Sequence, residues 1–93
     1  MTTTCCFFLK DSSDTLDYSI EWNLFLPDTD AITNSEWTDA TGITIERNTF
    51  TARSTHIWLS GGSNGTTYVL TNKIWTREGR VVERSIAILI TER

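Results

Sequence analysis

The sequence is short of the residues that crosslink, catalyse or bind nucleic acid. It holds one proline, Pro27, one histidine, His56, and two cysteines, Cys5 and Cys6, side by side. A single histidine leaves most catalytic and metal-binding sets without their commonest member. A Ser–His–Asp arrangement would have to draw on Ser54 or Ser60. Neighbours along a strand are not expected to converge, and no nucleophile elbow is present. Adjacent cysteines make a strained pair, and on a regular strand they point to opposite faces, so two separate thiols are expected. Lysine and arginine together number 8 against 12 acids, for a net charge of −4, and they are scattered. No basic cluster exists for a phosphate backbone, so nucleic acid is not an expected partner. No segment approaches the length of a membrane span. The apolar run from Cys5 to Leu9 lacks a basic flank and is too short for a signal-peptide core, so synthesis and residence in the cytosol are expected.

Threonine is abundant instead, with seventeen copies beside many Ile, Val, Trp, Tyr and Phe. These residues fit a pleated, half-buried surface. In "TLDYSIEWNLFLP", Leu16, Tyr18, Ile20, Trp22, Leu24 and Leu26 alternate with Asp17, Ser19, Glu21, Asn23 and Phe25. Period two argues for a strand with one buried face, and its length predicts a bend or bulge inside it. "CCFFL" reads as a first strand. "AITNSEWTD" is a third, with Thr33, Ser35 and Trp37 on one face, and "ITIER" is a short fourth. "NTFTARSTHIWLS" holds a fifth. In "TTYVLTNKIWT", Tyr68, Leu70, Asn72 and Ile74 oppose Val69, Thr71, Lys73 and Trp75. "VVERSIAILIT" is the seventh, joined to the sixth by a two-residue turn at Glu78-Gly79. The prediction is one all-β domain over residues 1–93, an immunoglobulin-like β-sandwich of about seven antiparallel strands. Its core is thin at this size, and completion by a neighbour is expected.

Three stretches invite a chemical reading. "SGGSNGTT" (60–67) places three residues between Gly61 and Gly65, where a P-loop needs four, and Thr66 where it needs lysine. No helix follows to supply amide donors, so the stretch is read as a turn. Asn64-Gly65-Thr66 is a formal glycosylation acceptor that cytosolic synthesis leaves unused. Asp28-Thr29-Asp30 lacks the remaining ligands of a calcium loop and is also read as a turn. No catalytic residue, cofactor or metal site is assigned, and an enzyme is not expected. The candidate protein interface consists of outward aromatics: Trp75 and Phe25, each on the polar side of its strand, with Phe7.

The motifs "FFLKD", "LDYSIEW", "SEWT", "IWLSGG…GTTYVLTN" and "REGRVVERSIAI" together cover most of the chain. In them the sequence resembles a family of small virion proteins of tailed phages and prophages, the fibre–tail adaptor or neck proteins. The matching positions are Phe8 to Asp11, Asp17, Trp22, Trp37, Trp58 to Gly62, Tyr68, Thr71-Asn72 and Glu83 to Ser85. It departs from the usual pattern at Cys5-Cys6 and at Trp75, where a small polar residue is more typical. The resemblance implies a structural protein of the virion, made in the host bacterial cytoplasm. It implies other virion proteins (tail, neck, fibre or capsid) as partners, and many copies in a symmetric assembly. Neither nucleic acid nor a membrane is among the implied partners. Two alternatives stand beside it: a capsid decoration protein of the same fold and, from another functional class, a carbohydrate-binding module for host adsorption that stacks Trp75 on sugar.

Overall fold

The computed structural model describes residues 3–38 and 40–92, without the side chains of Thr3, Thr4, Cys5 and Leu24. The seven strands are β1 (Thr3–Lys10), β2 (Leu16–Glu21), β3 (Ile32–Trp37), β4 (Ile43–Phe50), β5 (Ser54–Gly61), β6 (Thr67–Thr76) and β7 (Val81–Ile90). They form two sheets, ordered β1-β7-β6-β3 and β2-β5-β4, packed as an all-β sandwich. Ile20, Trp22, Ile57 and Leu59 from the three-stranded sheet side meet Leu70, Ile74, Ile86, Ile88 and Ile90, all of them fully buried. The alternation of β6 is the one the sequence predicts: Tyr68, Leu70, Asn72 and Ile74 face inward.

Several sequence expectations change. Not every strand pair is antiparallel, because β1 runs parallel to β7. The chain crosses from one sheet to the other between β1 and β2, through a turn in which the Asp11 carboxylate accepts from the Ser13 amide at 2.9 Å. That crossing leaves β1 on the β7 edge in the same direction as β7. The register between β1 and β7 shifts between Thr4 and Cys6. A bulge there removes the regular alternation on which two opposed thiols were predicted, and Cys6 is disulfide-bonded. The Cys5 side chain lies outside the described residues.

The predicted long second strand stops at Glu21, since its partner β5 begins at Ser54 and offers no further register. A 3₁₀ turn over Trp22–Leu24 follows, closed by amides of Phe25 and Leu26 donating to the Trp22 carbonyl. The turn drops Trp22 and Leu26 into the core, so their spacing is retained without a strand. The predicted placement of Leu24 falls on a side chain outside the described set. In β3 a register shift between Ile32 and Asn34 turns Thr33 out to solvent, while Ser35 and Trp37 stay partly buried. "NTF" belongs to β4, where Asn48, Thr49 and Phe50 pair with Ile57, His56 and Thr55. The β6–β7 connection is one residue longer than a two-residue turn. Thr76 and Arg80 bond across Arg77-Glu78-Gly79, with Gly79 left-handed at φ +93° in the third position.

"SGGSNGTT" is the β5–β6 connection, and its amides are turned inward. Ser63 N–H donates to the Tyr68 hydroxyl at 2.9 Å, Gly65 N–H to Ile90 O at 2.7 Å and Thr66 N–H to Ser63 O at 3.0 Å. Gly62 lies at φ +101°, and a Cβ there would come within 2.7 Å of the Ile90 side chain. Gly62→Ala therefore combines left-handed strain with a core clash. It is expected to lower the thermal midpoint by roughly 5–15 °C in a scanning calorimeter. Gly65→Ala has open space around its Cβ and keeps only the strain term.

Candidate docking surfaces

Alternation on β1, β7 and β6 turns one set of side chains away from the core, and register aligns them into rows. Phe7 lies beside Ala87, and Ala87 beside Val69. The next row joins Leu9, Leu89 and Thr67. Phe7 is 60% exposed, Val69 54% and Leu9 45%, so these rows make a contiguous apolar strip open to solvent. Burying such a strip releases water at about 25 cal/mol per Å². Below it, Thr71 and Ser85 share a hydroxyl hydrogen bond of 2.9 Å. A charged row of Glu36, Lys73 and Glu83 follows, and then Asn34, Trp75 and Val81.

Phe7 and Trp75 thus share the outer face of the four-stranded sheet, but near opposite ends. Their β7 partners, Ala87 and Val81, are six positions apart, about 20 Å along the strand. Trp75 is half-buried, with the Lys73 ammonium 5.2 Å from its ring centre. Phe25 stands apart from both, at the end of the 3₁₀ turn. Its ring packs edge-on to Trp22 at 5.7 Å and carries the Arg84 guanidinium at 5.0 Å. The apolar residues in the row of Phe7 and the next row are Ala87, Val69, Leu9 and Leu89. Their outward phase was readable from the alternation, but only the pairing of β1 with β7 brings them together.

The outer face of the three-stranded sheet is polar. Its rows are Asp17, Trp58, Arg47 and Ser19, His56, Thr49. The Arg47 guanidinium lies 4.3 Å from the Trp58 ring centre. Ser54 and His56 do converge, contrary to expectation, because residues two apart on a strand share a face: Ser54 Oγ and His56 Nε2 are 3.1 Å apart. Ser54 is buried in the β4–β5 turn and shares its hydroxyl with Thr51 at 2.8 Å. Among the described residues no group of three His, Cys, Asp or Glu is placed to hold a metal, and no pocket opens beside the pair.

The predicted turn at Asp28 to Asp30 is present, with Asp30 N–H donating to Pro27 O at 3.1 Å. Asp30 itself is buried and anchors the β6–β7 hairpin. Its carboxylate accepts from Arg80 at 2.7 Å, from the Ala31 amide at 2.8 Å and from the Glu78 amide at 3.1 Å. The same loop is held from the β4–β5 turn. Arg53 spreads its guanidinium over the carbonyls of Pro27 and Asp30, at 2.9 and 3.0 Å, and of Leu26 at 3.1 Å. These contacts fix the end of the sandwich that carries Trp75 and Val81.

No curated protein matches the chain. A family model does: that described as podophage GP4 fiber-tail adaptor protein gp77, over residues 10–89. The match runs from Lys10 at the end of β1 to Leu89 in β7, takes in all the core residues but Ile90, and leaves Phe7 outside. It covers well over half of the sequence, and the chain belongs to the podophage fibre–tail adaptor family.

Proposed function

We propose that this chain is a non-catalytic docking module of the virion that joins tail and fibre proteins through an outer sheet face. The observation that carries the reading is the solvent-open strip of Phe7, Leu9 and Val69, with half-buried Leu89 among them, on a domain of 93 residues. Contiguous apolar surface of this kind marks interaction sites. Trp75 and Val81 extend the same face towards the hairpin, and Phe25 lies on a separate rim. Family membership supports tail and fibre proteins as the partners; several copies around the tail and synthesis in the host cytoplasm are part of the same proposal. The strand order supports an immunoglobulin-like assignment: second, fifth and fourth strands in one sheet, third, sixth and seventh in the other. The first strand joins the opposite sheet from the constant-type arrangement.

Neither alternative is favoured. The family is named for the tail, not the capsid shell. A sugar-stacking role needs an uncovered aromatic ring, and both Trp75 and Trp58 already carry a cation against theirs.

Phe7→Asp combined with Val69→Asp puts two carboxylates into the strip without touching the core. Incorporation of the chain into purified virions is expected to fall at least tenfold, roughly the loss of one interface hot spot, with the thermal midpoint changed by only a few degrees. Unchanged incorporation would show that this face docks nothing.

A further inference from the structure

We propose that the outer face of the three-stranded sheet is a weak two-fold contact between copies of this chain. The acids Asp17 and Glu21 stand on β2 at one edge of this face, and Arg47 stands on β4 at the other. Trp58 on β5 lies between Asp17 and Arg47 in the same row. Stacking on Trp58 holds the Arg47 guanidinium towards the middle of the face, at 4.3 Å from the ring centre. Neither Asp17 nor Arg47 forms an ion pair among the described residues. Among charged residues the face thus has only acids on its β2 side and its one guanidinium, Arg47, on the β4 side.

A two-fold axis parallel to β5, lying between two such faces, lays β2 of one copy over β4 of its partner. Asp17 then meets Arg47 twice, once from each copy, as an isologous contact requires. An axis across the strands would lay β2 on β2 and bring acids together, so charge selects the first arrangement. Glu46, also near the β4 edge, keeps its charge, but the Ser60 hydroxyl holds it at 2.5 Å beyond the Trp58 row, so it does not stand opposite Asp17. The face contains no lysine and holds Trp58 and Arg47, residue types favoured at interface centres. Three strands about 4.8 Å apart and some five residues deep offer a patch only about 15 Å on a side. That is well below a standard interface, so the contact is weak in free solution.

Sedimentation equilibrium of the full chain, from micromolar to millimolar concentration, tests this. The expected result is a monomer–dimer equilibrium. Arg47→Asp and Asp17→Arg should each weaken it by at least about tenfold. An equimolar mixture of the two variants should restore the dimer, because each contact then pairs opposite charges again. Both side chains are exposed, and circular dichroism verifies that both variants keep the fold. A monomer at every concentration, a larger oligomer, a dimer indifferent to Arg47→Asp or a mixture that fails to dimerise would each overturn the proposal. None of these outcomes bears on the apolar face, whose test is incorporation into virions.

Discussion

Trp22→Ala is expected to remove a large share of the stability of this fold and to shift its urea midpoint sharply down. Truncating a buried tryptophan costs roughly 3–5 kcal/mol, against a total of about 5–15 kcal/mol for a domain. The cost is more than a cavity. Trp22 Nε1 donates to Thr55 Oγ1 at 3.0 Å and to Asn72 Oδ1 at 3.2 Å, and Thr55 donates to Asn72 Oδ1 at 2.6 Å. Asn72 passes the chain on, its Nδ2 donating to Ser35 Oγ and to the Glu36 carbonyl, each at 2.9 Å. Four segments from both sheets therefore meet in one satisfied polar network inside an apolar core. Trp22→Phe keeps most of the ring and removes only the donor, and should cost about 1–3 kcal/mol. Asn72→Leu keeps the volume and strands the Glu36 carbonyl, for a similar loss. Because the two share partners, their effects should be non-additive by about 0.5 kcal/mol or more. Urea midpoints of Trp22→Phe, Asn72→Leu and their combination decide it. A Trp22→Phe protein as stable as the parent would show that packing alone matters at this position.

This network also marks the limit of what the sequence discloses. The inward phase of Asn72 is legible, since it alternates with Leu70 and Ile74 on a strand whose two faces differ sharply. Its partners are not legible, because Trp22, Thr55 and Ser35 lie 50, 17 and 37 positions away. The register shifts at β1, β3 and β4 are equally hard to place: a bulge breaks the period-two alternation by one residue, and in strands this short such a break looks no different from a strand end. Phe7 was readable as an outward aromatic, but the strip around it depends on β1 lying parallel to β7, a pairing that links the two ends of the chain. Charged residues mislead in the opposite direction. Composition places Lys10 at the surface, yet it is buried, and its ammonium donates to the carbonyls of Asp11 at 2.8 Å and Gly61 at 2.7 Å. Burial lowers its pKa, opposed by the charges of Asp14 and Asp11. Lys10 thereby fastens β1 to the end of β5, linking the strand that carries Phe7 and Leu9 to the other sheet.

Asp30 is the second position with a large expected effect, and its signature is acid lability. Burial on its own would raise the pKa of this carboxyl. Hydrogen bonds from Thr76, Arg80, Ala31 and Glu78 outweigh it and hold the group well below the usual carboxylate range. A carboxyl with a depressed folded-state pKa stabilises the fold fully above its unfolded value, near 3.9. That contribution is lost as the pH falls from there towards the folded value. Urea midpoints should accordingly drop faster between about pH 5 and pH 2 in the parent than in Asp30→Asn, which has no charge to lose. At neutral pH the order reverses in meaning: Asp30→Asn is already weakened, because a neutral amide pairs poorly with Arg80 and offers one acceptor where two were used. Asp30→Ala goes further and leaves the Ala31 and Glu78 amides without their acceptor, for an expected fall of about 10 °C in the thermal midpoint. Arg80 moderates the loss, since its side chain is 43% exposed and can recover water. Equal pH slopes for the parent and Asp30→Asn would sink the assignment. The consequence reaches the outer face: Asp30 clamps the turn that begins one residue after Trp75 and ends one before Val81, so acid should loosen that end of the surface before the Phe7 strip, which no titrating group of this cluster touches.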